Sequence, residues 1–185
     1  MKYLHEPHGT VEFWTWCRDK CHGNPVTMDL CASGVLPMLR LASRLWWPIL
    51  ELGGGAYSTF ILHAALPRRK ILTLETSREW YPLLCHLLSK NHEIRLVPNI
   101  ADAVRWMNGW KGLVLVDHAP AEDRPLTVEQ LRGQENILVC HDSDHPEWCG
   151  GALEGWKFRA DIPWPRGATT VVSDSINVGE MLKDD

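Results

Sequence analysis

The sequence predicts an α/β protein built on a doubly wound, mostly parallel sheet, with a C-terminal antiparallel hairpin and a helical N-terminal segment. Three observations carry this. From residue 48 to residue 141, short apolar runs alternate with segments of helical period. A glycine turn, Gly53-Gly54-Gly55, joins the first of those runs to the helix after it. Near the C-terminus, two β-rich runs flank Pro163-Trp164-Pro165-Arg166-Gly167, a short turn suited to antiparallel pairing.

Residues 1–46 contain no clear strand, and 10–20 and 30–45 read as helices. The second carries Leu36, Met38, Leu39, Leu41 and Leu45, with Pro37 marking a start or a kink. Strands follow at 48–53, 70–75, 94–98, 112–117 and 136–141, with helices at 57–66, 78–91, 101–108 and 124–133. Alternation of this kind places helices on both faces of a parallel sheet. The runs 156–162 and 168–173 form the hairpin. With no repeat, low-complexity tract or linker, residues 1–185 are expected to form one domain, with 1–46 as a lid segment and 47–175 as the core.

A net charge of −4 argues against an extended nucleic-acid surface. No apolar run reaches the ~20 residues of a membrane span, and the N-terminus lacks a signal-peptide core. A cytoplasmic protein with a small-molecule partner is the expectation, its oligomeric state left open. In that compartment the six cysteines read as thiols. Cys85 and Cys140 fall in core patterns, whereas Cys17, Cys21, His22 and Cys31 are spaced so that a structural zinc is an alternative to buried thiols. Ten tryptophans, among them Trp14, Trp16, Trp46 and Trp47, favour core packing, with Trp14 or Trp16 as lid candidates over a pocket.

The glycine turn follows Glu51-Leu52 and precedes Ser58. Glycines there permit a sharp turn and close approach of a ligand to bare main chain, and the following helix presents unpaired N–H groups to an anionic group. Glu75, at the end of the next apolar run, can accept hydrogen bonds from a ribose diol. A dinucleotide fingerprint would place glycine where Ser58 stands, and a phosphate-binding loop would require a lysine that is missing after the turn. The remaining reading is a nucleoside-containing cofactor of another kind.

This combination resembles the class I, Rossmann-like S-adenosylmethionine-dependent methyltransferases. The likeness rests on Glu51-x-Gly53-x-Gly55 and extends to the segments beginning at Glu75, at Leu113-Val114-Leu115-Val116-Asp117-His118, and at Ile137-Leu138-Val139-Cys140-His141-Asp142. It covers roughly 48–173. The resemblance implies S-adenosyl-L-methionine as cofactor, bound by Glu51 at its ammonium, by Gly53, Gly55 and Ser58 at the turn, and by Glu75 at the ribose. Asp102, with Asn99 as its alternative, would meet the adenine, and Asp117 would face the transferred methyl. Where family branches that modify amino nitrogens of adenine, cytosine or glutamine carry Asn/Asp-Pro-Pro-Tyr/Phe, this chain has Asp117-His118-Ala119-Pro120. An oxygen acceptor on a small molecule is therefore the expected substrate.

Asp117 and Asp142 end consecutive predicted strands and are expected side by side, forming with His118 the catalytic edge. Two carboxylates there could hold Mg²⁺ or another divalent cation, as in catechol-type O-methyltransferases, although Ser143 stands where those enzymes place asparagine. Without a metal, His118, His141 or His145 is a candidate general base. Arg124 reads as a surface residue at a helix start, with contact to an anionic substrate as its alternative. Two rival readings are an aminopropyltransferase using decarboxylated cofactor, with Asp144 added to the acidic set, and a non-catalytic nucleoside-binding or partner-binding module.

Overall fold

The computed structural model describes residues 25–55, 57–107, 109–164 and 167–183. Cys17, Cys21, His22, Trp14, Trp16 and the side chain of Cys31 lie outside this description, as does the first expected helix. Helix α1 runs Pro25–Arg44. Val35, Met38, Leu41 and Ala42 are buried at helical spacing along one stripe, and this burial holds the helix together through Pro37, which lies inside it. The order then is β1 (Ile49–Leu52), α2 (Ser58–Ala65), β2 (Ile71–Glu75), α3 (Trp80–Leu84), β3 (His92–Leu96), α4 (Ile100–Trp106), β4 (Gly112–Val116), α5 (Arg124–Gln130), β5 (Asn136–His141), β6 (Phe158–Trp164), β7 (Gly167–Ser173) and α6 (Val178–Met181).

The seven strands are ordered β3-β2-β1-β4-β5-β7-β6. The first five are parallel, β7 is antiparallel to β5, and β6 closes the edge as its hairpin partner. Strand order reverses at β1, which pairs with β2 on one side and β4 on the other. Ligands in open α/β sheets bind outside the carboxyl ends of the strands at such a switch point.

Successive strand residues face opposite sides of the sheet. Ile49, Leu113, Leu115, Ile137 and Val139 pack with α1, with Leu62 of α2 and with Val178 of α6. Leu50, Leu52, Val114, Val116 and Leu138 pack with Ile100 and Val104 of α4 and Val128 of α5. Two cores thus sandwich the sheet. Arg69, buried after α2, donates to the carbonyls of Ala42 (2.6 Å), Leu45 and Trp47 (2.9 Å), satisfying the exposed end of α1. Trp46 stacks on the Arg69 guanidinium from outside and is 73% exposed, so it is no core residue, contrary to expectation.

Two element boundaries depart from the sequence reading. The helix expected over 78–91 ends at Leu84 and passes through a 3₁₀ turn, Cys85–Leu87. Ser89 and His92 then exchange backbone hydrogen bonds in a tight turn, so β3 begins at His92 and not at residue 94. Apolar periodicity continued past the point where the chain had to reverse into the sheet.

Candidate functional site

The β1–α2 turn lies at the switch point. Gly53 has φ +92°, and a side chain there would place Cβ 2.5 Å from the Cα of His118 and 2.6 Å from the Asp117 carbonyl. The turn therefore sits against the end of β4, an approach that only glycine permits. At Gly54 a Cβ would meet Leu84 at 2.5 Å and Oε2 of Glu75 at 3.3 Å. A Cβ on Gly55 would meet only the Ser58 hydroxyl at 3.4 Å, so this glycine is the one left open beside the turn.

Glu75 is buried at the end of β2. Its Oε1 accepts from the N–H groups of Thr76 (2.7 Å) and Ser77 (2.5 Å), which fixes the carboxylate and turns Oε2 toward Gly54. Glu51 is wholly buried in β1, beneath the turn; Oε2 accepts from the Thr73 hydroxyl (2.6 Å), and Oε1 has no partner within hydrogen-bond geometry among the described residues. Burial pushes its pKa up to about 7 against the opposing hydroxyls of Ser58, Thr73 and Thr59, with Asp117 adding to the rise. Asp102 is exposed on α4, where its backbone N–H is capped by Asn99 (2.9 Å) and its carboxylate faces Arg105. Neither residue has a free, fixed group aimed at the turn, so the adenine assignment gains no support from geometry.

The ends of β4 and β5 carry the densest charge. Asp117 and Asp142 are about a fifth exposed (23% and 21%), and Nδ1 of the buried His141 lies 3.2 Å from Asp117 Oδ1 and 3.0 Å from Asp142 Oδ2. Arg124, read from sequence as a surface residue, is buried. Its guanidinium donates to Asp117 Oδ1 (3.0 Å), to the His118 carbonyl (2.8 Å) and to the His141 carbonyl (3.2 Å), tying the two strand ends together. Burial alone would lower the pKa of His141, but hydrogen bonds and charge from both aspartates outweigh it and raise it to about 10. The Asp142 carboxyl, despite burial, is held below its usual range by His141 and Arg124. Asp142 also takes a positive φ of 53°, a conformation aspartate tolerates.

Two carboxylates, an imidazolium and a guanidinium thus balance to zero. The donor atoms of Asp117, His141 and Asp142 lie within 4.8 Å of one another, as a metal would need. In this arrangement Arg124 neutralises Asp117 and the His141 ring is shared between both carboxylates, so a divalent cation would have to compete with the guanidinium and displace a proton from His141.

His118 points the other way. As the residue after Asp117 it faces the α5 side, buried, with Nε2 3.0 Å from the Thr127 hydroxyl and a pKa lowered to about 4 by burial and Arg124. The ring is therefore turned away from the Asp117 and Asp142 carboxylates with which it was expected to act. His145 is exposed, stacked on Trp148 and paired with Glu147 (3.4 Å). Asp144 accepts from the Ala168 N–H (2.9 Å) and serves the hairpin. Clefts of about 510 Å³, around Leu36, Asp161 and Trp164, and of about 470 Å³, around Lys70, His92 and Trp110 at the opposite end of the sheet, are lined by none of these site residues.

No protein-family description and no curated protein matches the chain by sequence. Solved structures do. The bifunctional kinase-methyltransferase WbdD superposes with a TM-score of 0.54 at 15% identity, over 90% of this chain and 42% of its own. MtNAS in complex with MTA and tNA gives 0.52 at 12% identity, covering 93% and 68%. Human methyltransferase-like protein 13 in complex with SAH gives 0.52 at 12%, covering 78% and 82%. The chain therefore spans less than half the length of WbdD. Its fold is that of the Rossmann-like S-adenosylmethionine-dependent methyltransferases, as the sequence resemblance implied. Among the described residues, no helix is long and apolar enough to cross a membrane.

Proposed function

We propose that this protein binds S-adenosylmethionine at the β1–α2 turn and transfers its methyl group to an oxygen nucleophile of a small molecule held over Asp117 and Asp142. The observation that carries the reading is the contact of Gly53 with the Asp117 main chain, which sets the cofactor turn directly against the charged ends of β4 and β5. When bound, the cofactor supplies an electrophilic methyl group. The protein's part is positioning. Oε2 of Glu75 receives the ribose hydroxyls, and Glu51 favours the ammonium from beneath the turn. Asp117 would accept the hydrogen bond of the acceptor O–H and take its proton as the O–CH₃ bond forms and the S–CH₃ bond breaks, passing it to solvent from its exposed edge, while Arg124 and His141 hold both carboxylates in place. His141, already protonated, orients and does not act as base. Helix α1 packs on one face of the sheet and passes this end at Gly34, beside His141.

Calorimetry tests the cofactor: S-adenosylmethionine and its demethylated product should bind in the micromolar range and NAD should not. Glu75→Ala should weaken binding by about 1–3 kcal/mol, the cost of leaving hydroxyls unpaired in a partly buried site. Tight NAD binding with no response to S-adenosylmethionine would overturn the reading. Asp117→Asn should then reduce turnover far more than thermal stability, and full activity in that variant would remove the reaction centre from this edge.

Aminopropyl transfer is the second reading, supported by the likeness to MtNAS bound to MTA and tNA. It is weakened by the charge balance, since a polyamine would meet carboxylates already neutralised by Arg124 and His141. Turnover with decarboxylated cofactor separates the two. Binding without turnover on any acceptor would instead favour a non-catalytic module.

A further inference from the structure

A second polar system crosses the core beneath the site. Oε2 of Glu51 accepts from Thr73 Oγ1 (2.6 Å), which lies 2.9 Å from Nε2 of His92. Nδ1 of His92 is in turn 3.1 Å from Nδ1 of His63. Glu51 and Thr73 are register partners on β1 and β2, and His92 opens β3. His63, in the last turn of α2, is only partly buried. It lines, with Arg69, Asn91 and His92, a cleft of about 170 Å³ at the amino end of the strands, opposite the glycine turn. A continuous hydrogen-bonded line thus runs from solvent, through the sheet's apolar interior, to a buried carboxyl whose second oxygen has no partner within hydrogen-bond geometry among the described residues.

Each link can both give and accept a proton. With Glu51 ionised, Thr73 donates to Glu51, His92 Nε2–H donates to Thr73, and His63 Nδ1–H donates to His92. When a proton arrives on Nε2 of His63, its Nδ1 proton passes to His92 Nδ1. The His92 Nε2 proton then passes to Thr73, and the Thr73 hydroxyl proton to Oε2 of Glu51. One proton enters, one reaches the carboxyl, every hydrogen bond reverses, and both histidines end neutral.

We propose that His63, His92 and Thr73 form a proton relay that connects Glu51 to solvent at the far end of the sheet, so that Glu51 releases its proton when a cationic ligand group docks on the glycine turn. The surrounding charges suit this. Glu51 is faced by Ser58 and Thr59 from α2, Thr73 from β2 and Asp117 from β4. Burial, and then the neighbouring imidazole, hold His92 down at about 4; burial and His86 likewise lower His63, so both rings stay neutral and free to switch tautomer. The ligand half of the proposal rests on the cofactor reading above; the relay itself does not.

Histidine ¹⁵N NMR over about pH 5 to pH 9 reads the relay directly, because the two tautomers have distinct ring-nitrogen shifts. In the wild-type protein His92 should pass from Nδ1–H at low pH to Nε2–H at high pH, and His63 from Nε2–H to Nδ1–H. Both midpoints should coincide with the Glu51 carboxyl titration, read from its ¹³C shift. Thr73→Val should leave Glu51 titrating but stop the histidines from following. A His92 tautomer that never changes, or that switches equally in Thr73→Val, overturns the relay. In calorimetry at pH 7 in buffers of differing ionisation heat, S-adenosylmethionine should release about half a proton, and Glu51→Gln should abolish the release. Binding without proton release overturns the coupling. Tautomer switching with no binding leaves the relay standing and removes the cofactor reading.

Discussion

Arg124 is the residue on which the strand ends depend. One guanidinium satisfies two carbonyls and a carboxylate that would otherwise be left close together and poorly solvated. Removing one partner of a buried ion pair costs more than the pair contributes, because the remaining charge stays buried. Arg124→Met should therefore lower stability by about 3–5 kcal/mol in urea unfolding. Arg124→Lys should recover only part, since an ammonium cannot reproduce the planar fork. A loss under about 1 kcal/mol for Arg124→Met would mean that the strand ends are held by something else.

Helix α1 is seated on the site by an absence of side chain. At Gly34 a Cβ would lie 3.2 Å from His141 Cδ2 and 3.3 Å from Leu115 Cδ1, so the helix crosses directly over the imidazole that pairs with both aspartates. Arg40 and Arg44 fasten its other side to the carbonyls of Leu182, Met181 and Lys183, at 2.7 to 3.0 Å. Gly34→Leu should force α1 off the ends of β4 and β5, with a loss of about 1–3 kcal/mol from overpacking. If the N-terminal segment closes over the cofactor as expected of a lid, the same variant should weaken S-adenosylmethionine binding in calorimetry. Unchanged affinity at reduced stability would leave α1 a packing element only.

Across the whole molecule, the buried histidines and Glu51 set how stability responds to pH. His92 and His118 have native pKa values near 4, below their ordinary value of 6.5, so the unfolded chain binds more protons and stability falls as pH drops from 6.5 toward 4. Glu51, raised from 4.5 to about 7, opposes one of them over part of that range. His141 acts in the other direction: its contribution is complete below 6.5 and disappears as pH rises through about 10. Denaturant midpoints should therefore peak near neutrality and decline on both sides, and His141→Gln should flatten the alkaline limb. An alkaline limb unchanged in that variant would show that the imidazolium is not held by the two aspartates.

The sheet, the glycine turn and the approximate place of the strand ends were legible in the amino-acid order. These follow from local signals: period-2 and period-3.6 burial, glycine where φ must be positive at Gly53, and acids such as Glu75 and Asp117 directly after apolar runs. The same order also placed Asp117 and Asp142 side by side, because right-handed crossovers leave few alternatives for consecutive parallel strands. Partners were not legible. That Asp117 pairs with Arg124 and His141, that His118 turns away beneath α5, and that His63 meets His92 across twenty-nine positions are outcomes of long-range packing. Polar residues in apolar strands, Thr73 and His92 among them, were the one available signal for the buried line. What such a residue does depends on which neighbour the fold brings within about 3 Å, because hydrogen bonding and charge pairing fall off over that distance, and only the tertiary structure sets it.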